Sequence, residues 1–304
     1  MRLAIDIGAT KTEFGCFDDD FVARYTQLTP TPNTTWEAFL DLLLNTIASA
    51  EDEVGPIDDI GVSIAGMISP PGGEVYCANL EFLSGKKLQD ELQRTLHRPV
   101  VMANDAACFA LAETTAGIAT GYQNVFGLIL GSGIGGAAII NGQKVSGGSG
   151  FAGEWGHGNR LDHAIESLHL TGRQCGCGGS NCLDLFGAGI GMTNIYFDYS
   201  GETNSARSIL SSWHANDALA SKTIEAFVHL VSDALALVVN IVDPQIMPVG
   251  GGLSNDGDLI AYLDAETRRK SLGKLKNELI IPGKYNTNGC LLGASFLQPD
   301  IATR

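Results

Sequence analysis

Apolar positions in this chain follow two rhythms, short dense or alternating runs and longer stripes at helical spacing. Arg2-Leu3-Ala4-Ile5-Asp6-Ile7 has the density of a buried strand, and residues 12–17 and 21–28 continue as two more. Further strand-like runs cover 59–64, 99–104, 124–130, 137–142, 245–249 and 278–281. The other rhythm begins after Thr34-Thr35-Trp36-Glu37, which reads as a capping box. Behind it Trp36, Phe39, Leu40, Leu43, Leu44 and Ile47 share one helix face. Helices are also predicted over 86–96, 106–116, 183–197, 205–213, 217–241 and 291–297. The longest carries Ile224, Phe227, Val228, Val231, Leu235 and Val238 as a stripe and stops at Asp243-Pro244. No uninterrupted run of about eighteen apolar residues is present, so no membrane span is expected. Nor does a secretory signal precede the first strand.

The punctuation between these elements carries the chemistry. Gly8-Ala9-Thr10-Lys11 makes a tight turn between the first two strands, and Asp6 ends the first. Such a turn can offer N–H groups and a hydroxyl to a phosphate, with a carboxylate near the phosphate's metal ion. An ordinary hairpin would have the same residues. Gly131-Ser132-Gly133-Ile134-Gly135-Gly136 matches G-x-G-x-x-G in letters, but a dinucleotide fingerprint must open a helix and this one runs into a strand. It is therefore read as a second strand–turn–strand unit like the first. Two such units are far more specific than one. No G-x-x-x-x-G-K-[ST] occurs. A third glycine turn, Gly250-Gly251-Gly252-Leu253-Ser254, lies between a strand and a helix, where a flat ligand can approach the backbone. Asn104-Asp105 closes the 99–104 strand, the end at which α/β sheets bind ligands; Asp105 also reads as a helix N-cap.

One His and three Cys fall close together: Glu154-Trp155-Gly156-His157, then Cys175-Gly176-Cys177 and Cys182-Leu183-Asp184. This ligand set suits tetrahedral Zn²⁺, and with no open position the metal is read as structural. A redox dithiol or unrelated buried cysteines are the competing readings. Glu154 and Asp184 flank the ligands and would be held in place by the clamp. Seven cysteines without a disulfide framework fit a reducing, cytoplasmic setting. The formal net charge of −15 opposes non-specific nucleic-acid binding, and it leaves an anionic ligand to local N–H groups and cations.

Taken in order, these motifs resemble the ROK family (repressors, open reading frames, kinases) from Met1 to about Leu297. The resemblance implies the actin-like, ribonuclease-H-like α/β fold, with two α/β domains and a cleft between them. The smaller domain is expected over 1–105 with about 288–304, and the larger, with the metal loop, over 106–287. Tyr76-Cys77-Ala78-Asn79-Leu80, Ser84-Gly85-Lys86 and Ile241-Val242-Asp243-Pro244 look most like the bacterial N-acetyl-D-glucosamine kinases of that family. The activity implied is ATP-dependent phosphorylation of the sugar 6-hydroxyl, with Mg²⁺, in a homodimer. Glucose, fructose or N-acetylmannosamine kinases, and a sugar sensor without turnover, are the alternatives. A DNA-binding repressor would need a helical segment ahead of the first turn.

By the same resemblance Asp105 is the base, and Asp6 holds Mg²⁺ through water. Gly8, Thr10, Lys11, Gly131, Ser132, Gly133 and Gly135 cradle phosphates, while Gly250, Gly251, Gly252 and Leu253 line the nucleoside. Gly66, Asn79, Asn104, Asp105, Glu154, His157 and Asp184 contact sugar, and His157, Cys175, Cys177 and Cys182 bind zinc. Three positions depart from the family pattern. Asn181 and Asp184 stand where it has Gly and Glu, and Ala107 stands where it often has a second Asn.

Overall fold

The computed structural model describes residues 1–70, 72–77, 80–158, 161–273 and 275–298. The chain divides into two compact units, Met1–Thr115 with Ser146–Ala152 and Asn288–Arg304, and Ala116–Val145 with Gly153–Thr287.

The first unit is built on one five-stranded sheet. Its strands are β1 (Arg2–Ile7), β2 (Lys11–Phe17), β3 (Ala23–Pro30), β4 (Asp59–Ile64) and, after a small hairpin of β5 (Met67–Ser69) and β6 (Glu74–Tyr76), β7 (Val100–Asn104). The order is β3-β2-β1-β4-β7, antiparallel across β3-β2-β1 and parallel across β1-β4-β7. Successive β1 side chains alternate between faces. Leu3, Ile5 and Ile7 join a core with Phe39, Leu43 and Ile47 of α1 (Trp36–Val54) and Leu88 and Leu92 of α2 (Leu88–Leu96). The opposite face packs on a helix pair, α3 (Asp105–Thr115) and the last helix (Gly289–Ser295). Here small residues matter. A Cβ on Gly61 would lie 1.8 Å from the Ala294 carbonyl oxygen, and one on Gly293 would lie 1.7 Å from that of Cys108. These close approaches keep α3 with the first unit, so the division falls at Thr115, after this helix.

The second unit repeats the plan. Its sheet runs β10 (Gln143–Lys144), β9 (Ile134–Ile140), β8 (Val125–Leu130), β11 (Met247–Gly250) and β12 (Ile280–Pro282) in that spatial order. Again the hairpin strands are antiparallel and the last three parallel. Its helices are α4 (Asp162–Ser167), α5 (Gly189–Ser200), α6 (Ala206–His214), α7 (Ala218–Val242) and α8 (Gly257–Lys270), and the helix at Gly289–Ser295 in the first unit is α9. Ile224, Phe227, Val228, Val231 and Leu235 of α7 are buried in one core with Leu128, Leu130, Met247 and Leu263.

Several local expectations change. The α1 cap is Thr35, whose hydroxyl accepts the Ala38 N–H at 3.2 Å, so Thr34 and Glu37 form no capping box. Strand β9 starts at Ile134, inside the glycine run, which shortens the turn to 131–133. The helix expected over 183–197 is broken into a 3-10 turn, Leu183–Leu185, and α5. The chain folds back there, since a Cβ on Gly191 would lie 2.1 Å from the Phe186 carbonyl carbon. By length and composition alone α7 could cross a membrane, with a mean hydropathy of 1.7 in its best window. Burial of 67% of that window accounts for it as a core helix.

Candidate functional site

In the first unit the C-terminal ends of three parallel strands bring the expected groups to one edge. Asp6 of β1 is level with Ser63 of β4, and Ile64 is level with Asn104 of β7. Asp105 follows directly, two strands from Asp6 and so roughly 10 Å across the sheet at ~4.8 Å per strand. Both carboxylates act electrostatically on the Cys290 thiol in α9, which burial pushes well above its usual range. Asp6 is itself raised, first by burial and then by Glu13, while the Ser63 hydroxyl, donating to Oδ1 at 2.7 Å, pulls it down. A buried carboxylate beside another acid is the kind of group a hard cation neutralises.

Asn104, not Asp105, supplies the capping oxygen of α3. Its Oδ1 accepts the Ala107 N–H at 2.9 Å, while Asp105 Oδ1 accepts the N–H of Ala106 at 2.8 Å. Asp105 is half-buried at the helix start.

The turn between β1 and β2 is braced from β3. Gly8 N–H donates to the Lys11 carbonyl at 3.0 Å, and Thr31 closes over the turn. The Thr31 hydroxyl donates to the Gly8 carbonyl at 2.8 Å, and its N–H donates to the Thr10 carbonyl at 3.1 Å. Thr10 and Lys11 are exposed at the turn. Gly66 sits under the β5–β6 hairpin, where a Cβ would be 2.7 Å from the Tyr76 carbonyl oxygen. Asn79 lies outside the described residues.

In the second unit the two remaining glycine turns touch. Gly251 has φ +86°, and a Cβ there would lie 2.6 Å from the Leu130 carbonyl and 2.7 Å from the Gly131 nitrogen. Ser254 donates its hydroxyl to the Gly251 carbonyl at 2.7 Å, and Leu253 is buried in the core below. Gly250 ends β11, and Gly252 opens the 3-10 turn that follows. Gly131 and Ser132 face the start of α5, where the N–H groups of Gly189 and Ile190 donate to their carbonyls at 2.9 and 3.2 Å.

The Glu154–His157 segment lies along β9. Trp155 Nε1–H donates to the Gly135 carbonyl at 3.0 Å, and a Cβ on Gly136 would be 2.5 Å from Trp155 Cδ1. So Gly136 makes room for an indole. Glu154 is raised by burial and by Asp184, with His157 opposing.

Four ligand atoms, one each from His157, Cys175, Cys177 and Cys182, lie within 4.8 Å of one another. His157 Nδ1 is 3.6 Å from Cys175 Sγ, and Cys177 Sγ is 3.6 Å from Cys182 Sγ. Edges of a tetrahedron with bonds of about 2.0–2.3 Å are roughly 3.3–3.8 Å, which these two distances match, so the cluster is compatible with one tetrahedral metal ion. Burial pushes the Cys175 thiol up to about 12, whereas the Gly179 N–H leads in lowering Cys177 to about 7. Because Nδ1 faces the sulfur, Nε2 is the nitrogen of His157 left on the far side of the ring.

Residues outside the expected set hold this loop. Arg173 makes two 2.8 Å contacts to the Asp198 carboxylate, from Nη1 and Nη2, and stacks over Phe186. Asn181, at φ +55°, accepts the Arg173 N–H at 2.8 Å and donates to Asp162 at 2.7 Å. The positive φ explains why Asn can replace Gly here. Asp184 is tied to β9: its Oδ1 accepts the Ile134 N–H at 2.8 Å, and its own N–H donates to Gly156 at 3.0 Å. Ser63, Arg173 and Asp198 gave no local signal, because each acts through a partner far along the chain.

Two sheets of one strand order, each opened by a strand–turn–strand unit, define an actin-like ATPase fold. The chain matches the ROK family over residues 2–301, and it belongs to that family. It is 34% identical over 302 residues to the N-acetyl-D-glucosamine kinase of Salmonella paratyphi B, covering 98% of this chain and 99% of that one. A ROK hexokinase from Thermus thermophilus superposes with a TM-score of 0.84 at 26% identity over 96% of each chain. A ROK family glucokinase from Streptomyces griseus, in complex with glucose and AMPPNP, gives a TM-score of 0.79 at 23% identity over 97% of this chain and 98% of that one.

Proposed function

We propose that this ROK sugar kinase transfers the γ-phosphate of ATP to the 6-hydroxyl of N-acetyl-D-glucosamine, giving N-acetylglucosamine 6-phosphate and ADP. The near full-length relation to N-acetyl-D-glucosamine kinases at 34% identity carries the reading. The placement of Asp105 at the C-terminal edge of the sheet, two strands from Asp6, supports it.

Phosphoryl transfer asks for position and charge neutralisation more than covalent help. Asp105 takes the proton from the attacking hydroxyl, a role worth about 10²–10⁴ in rate. Asp6 would hold Mg²⁺, which when bound would supply charge neutralisation at the phosphates. The turn at Gly8, Thr10 and Lys11 and the turn at Gly131, Ser132, Gly133 and Gly135 offer donors to phosphates. Gly250, Gly251 and Gly252 give the nucleoside a flat backbone surface. Gly66, Asn79, Asn104, Glu154 and His157 contact the sugar. His157, Cys175, Cys177 and Cys182 would hold zinc as a structural ion, and His157, fixed in that cluster, would offer its Nε2 to a sugar hydroxyl. The active species is a homodimer in a reducing, cytoplasmic compartment, which suits seven free cysteines.

A sister sugar is favoured by one observation. Asp184 has Oδ1 engaged by Ile134, which leaves it less available to a sugar hydroxyl than a longer acid would be. ATP turnover with Mg²⁺ across N-acetylglucosamine, glucose, N-acetylmannosamine and fructose decides between them. A kcat/KM for N-acetylglucosamine about tenfold above the rest, roughly 1.4 kcal/mol, is the expected result. Preference for another of the four would move the substrate assignment and leave the kinase chemistry. No turnover on any would favour a sensor.

A further inference from the structure

The segment that follows the last cysteine ligand lies directly against the second phosphate turn. Asp184 is two residues beyond Cys182, and its Oδ1 accepts the Ile134 N–H at 2.8 Å. Further along, Gly189 and Ile190 donate their N–H groups to the carbonyls of Gly131 and Ser132. The fit is close from both sides. A Cβ on Gly133 would sit 2.8 Å from Asp184 Oδ1, and one on Gly187 would sit 2.5 Å from Ile134 Cδ1. A Cβ on Gly156, just before His157, would be 3.2 Å from Ile134 Cβ and 3.6 Å from Asp184 Cβ. Asp184 also donates its own N–H to the Gly156 carbonyl at 3.0 Å. One short acid thus joins three things: the turn at 131–134, the residue before His157 and the chain leaving Cys182.

We propose that Asp184 is a positioning residue for nucleotide binding, which anchors the N–H of Ile134 and couples the Cys/His cluster to the phosphate turn. The proposal rests on reading 131–136 as a phosphate-binding turn. A carboxylate suits the task because a charge-assisted bond to a backbone N–H is stronger than a neutral one. The side-chain length matters as well. With Gly133 already in contact, an additional methylene would move the carboxylate off the Ile134 N–H or push the turn away. The order of the turn then depends on metal occupancy, since the cysteine ligand and Asp184 share one short stretch of backbone.

The test uses the full chain, the β,γ-imido analogue of ATP with Mg²⁺, and titration calorimetry. Asp184→Ala removes the acceptor, whereas Asp184→Asn keeps an oxygen at the same place. The Ala variant should weaken analogue binding at least about tenfold, and the Asn variant should stay within about threefold of the parent protein, as expected when a turn N–H loses or keeps its acceptor. In steady state the Ala variant should raise KM for ATP more than KM for sugar. Amide exchange at Ile134 reads the anchor itself: it should be slow in the parent protein, and faster in Asp184→Ala and after metal chelation, with Leu128 exchange unchanged. Unchanged exchange at Ile134 in Asp184→Ala would overturn the proposal. So would intact nucleotide affinity with lost sugar affinity, which makes Asp184 an ordinary sugar contact. A parent protein that binds the analogue but prefers another sugar overturns only the substrate assignment and supports the anchor by the same variant pattern. A parent protein that binds no analogue overturns the phosphate-turn reading and this proposal together.

Discussion

Ser63 and Asp6 face each other across neighbouring parallel strands, and the Ser63 hydroxyl donates to Asp6 Oδ1 at 2.7 Å. Ser63 is fully buried, so the bond is not in competition with water. Burial raises the Asp6 carboxyl, and Ser63 is the leading influence in the other direction. Ser63→Ala should therefore raise it further. A carboxyl whose pKa is raised on folding contributes stability that is present below its unfolded value of about 4 and lost as pH rises through the folded value. The metal-free variant should gain stability on acidification from a higher pH than the parent. Its acid limb of kcat/KM should move up in pH, and its KM for Mg²⁺ should rise. An acid limb that stays in place would show that Ser63 does not tune Asp6.

Asp105→Asn should bind sugar nearly as well as the parent and lose about 10²–10⁴ in kcat. The helix start survives this change, because Asn104 carries the cap to Ala107. Calorimetry with sugar and single-turnover phosphorylation separate the two effects. Near-normal turnover would remove Asp105 from the role of base.

Arg173 and Asp198 form a buried pair beside the cysteine loop, with side chains 19% and 2% exposed. Burial pushes Asp198 up, but hydrogen bonds from Arg173 and Thr171 outweigh it, and the carboxyl sits below its usual range. Its contribution to stability is therefore present above the unfolded value and lost as pH falls through the lower, folded one. Arg173→Ala leaves Asp198 held by Thr171 alone and should cost about 1–3 kcal/mol in denaturant unfolding. A loss below about 1 kcal/mol, the range of an exposed pair, would mean the pair is solvated.

Much of the fold was legible because its signals are local. Strands β1 and β4 match the expected bounds to the residue, since buried apolar runs between turn residues have few other readings. The capping box at Thr34 was misread because Thr34 and Thr35 compete for one helix start, and only the backbone of Thr35, at φ −137° and ψ 157°, decides it. The break before α5 was hidden for another reason. Gly187 and Gly191 read as tolerable inside a helix, and what excludes a side chain there is Ile134 and Phe186 folded against them. The His and Cys cluster was legible from residue type, and its 4.8 Å grouping follows the sequence. The bond from Ile134 to Asp184 was not legible, because it joins residues fifty apart.

Gly251 tests how far the turn after β11, proposed above as the nucleoside surface, depends on backbone contact. Its φ of +86° disfavours any side chain, and a Cβ would meet the Leu130 carbonyl at 2.6 Å and the Gly131 nitrogen at 2.7 Å. These are backbone atoms of β8 and of the turn at 131–133, so no side-chain rotation can relieve the clash. Gly251→Ala must either separate the two glycine turns or twist β11. A destabilisation of about 1–3 kcal/mol is expected from overpacking, together with a raised KM for ATP. Gly257→Ala is the control for the loss of a glycine as such. Nothing lies within 4 Å of a Cβ at Gly257, which opens α8, so this change should be neutral or stabilise by about 0.4–1 kcal/mol. The contrast between the two in thermal unfolding and in ATP dependence measures the contact. Equal behaviour of both variants would mean that Gly251 is present for chain flexibility and that the approach of the two turns carries no load in nucleotide binding.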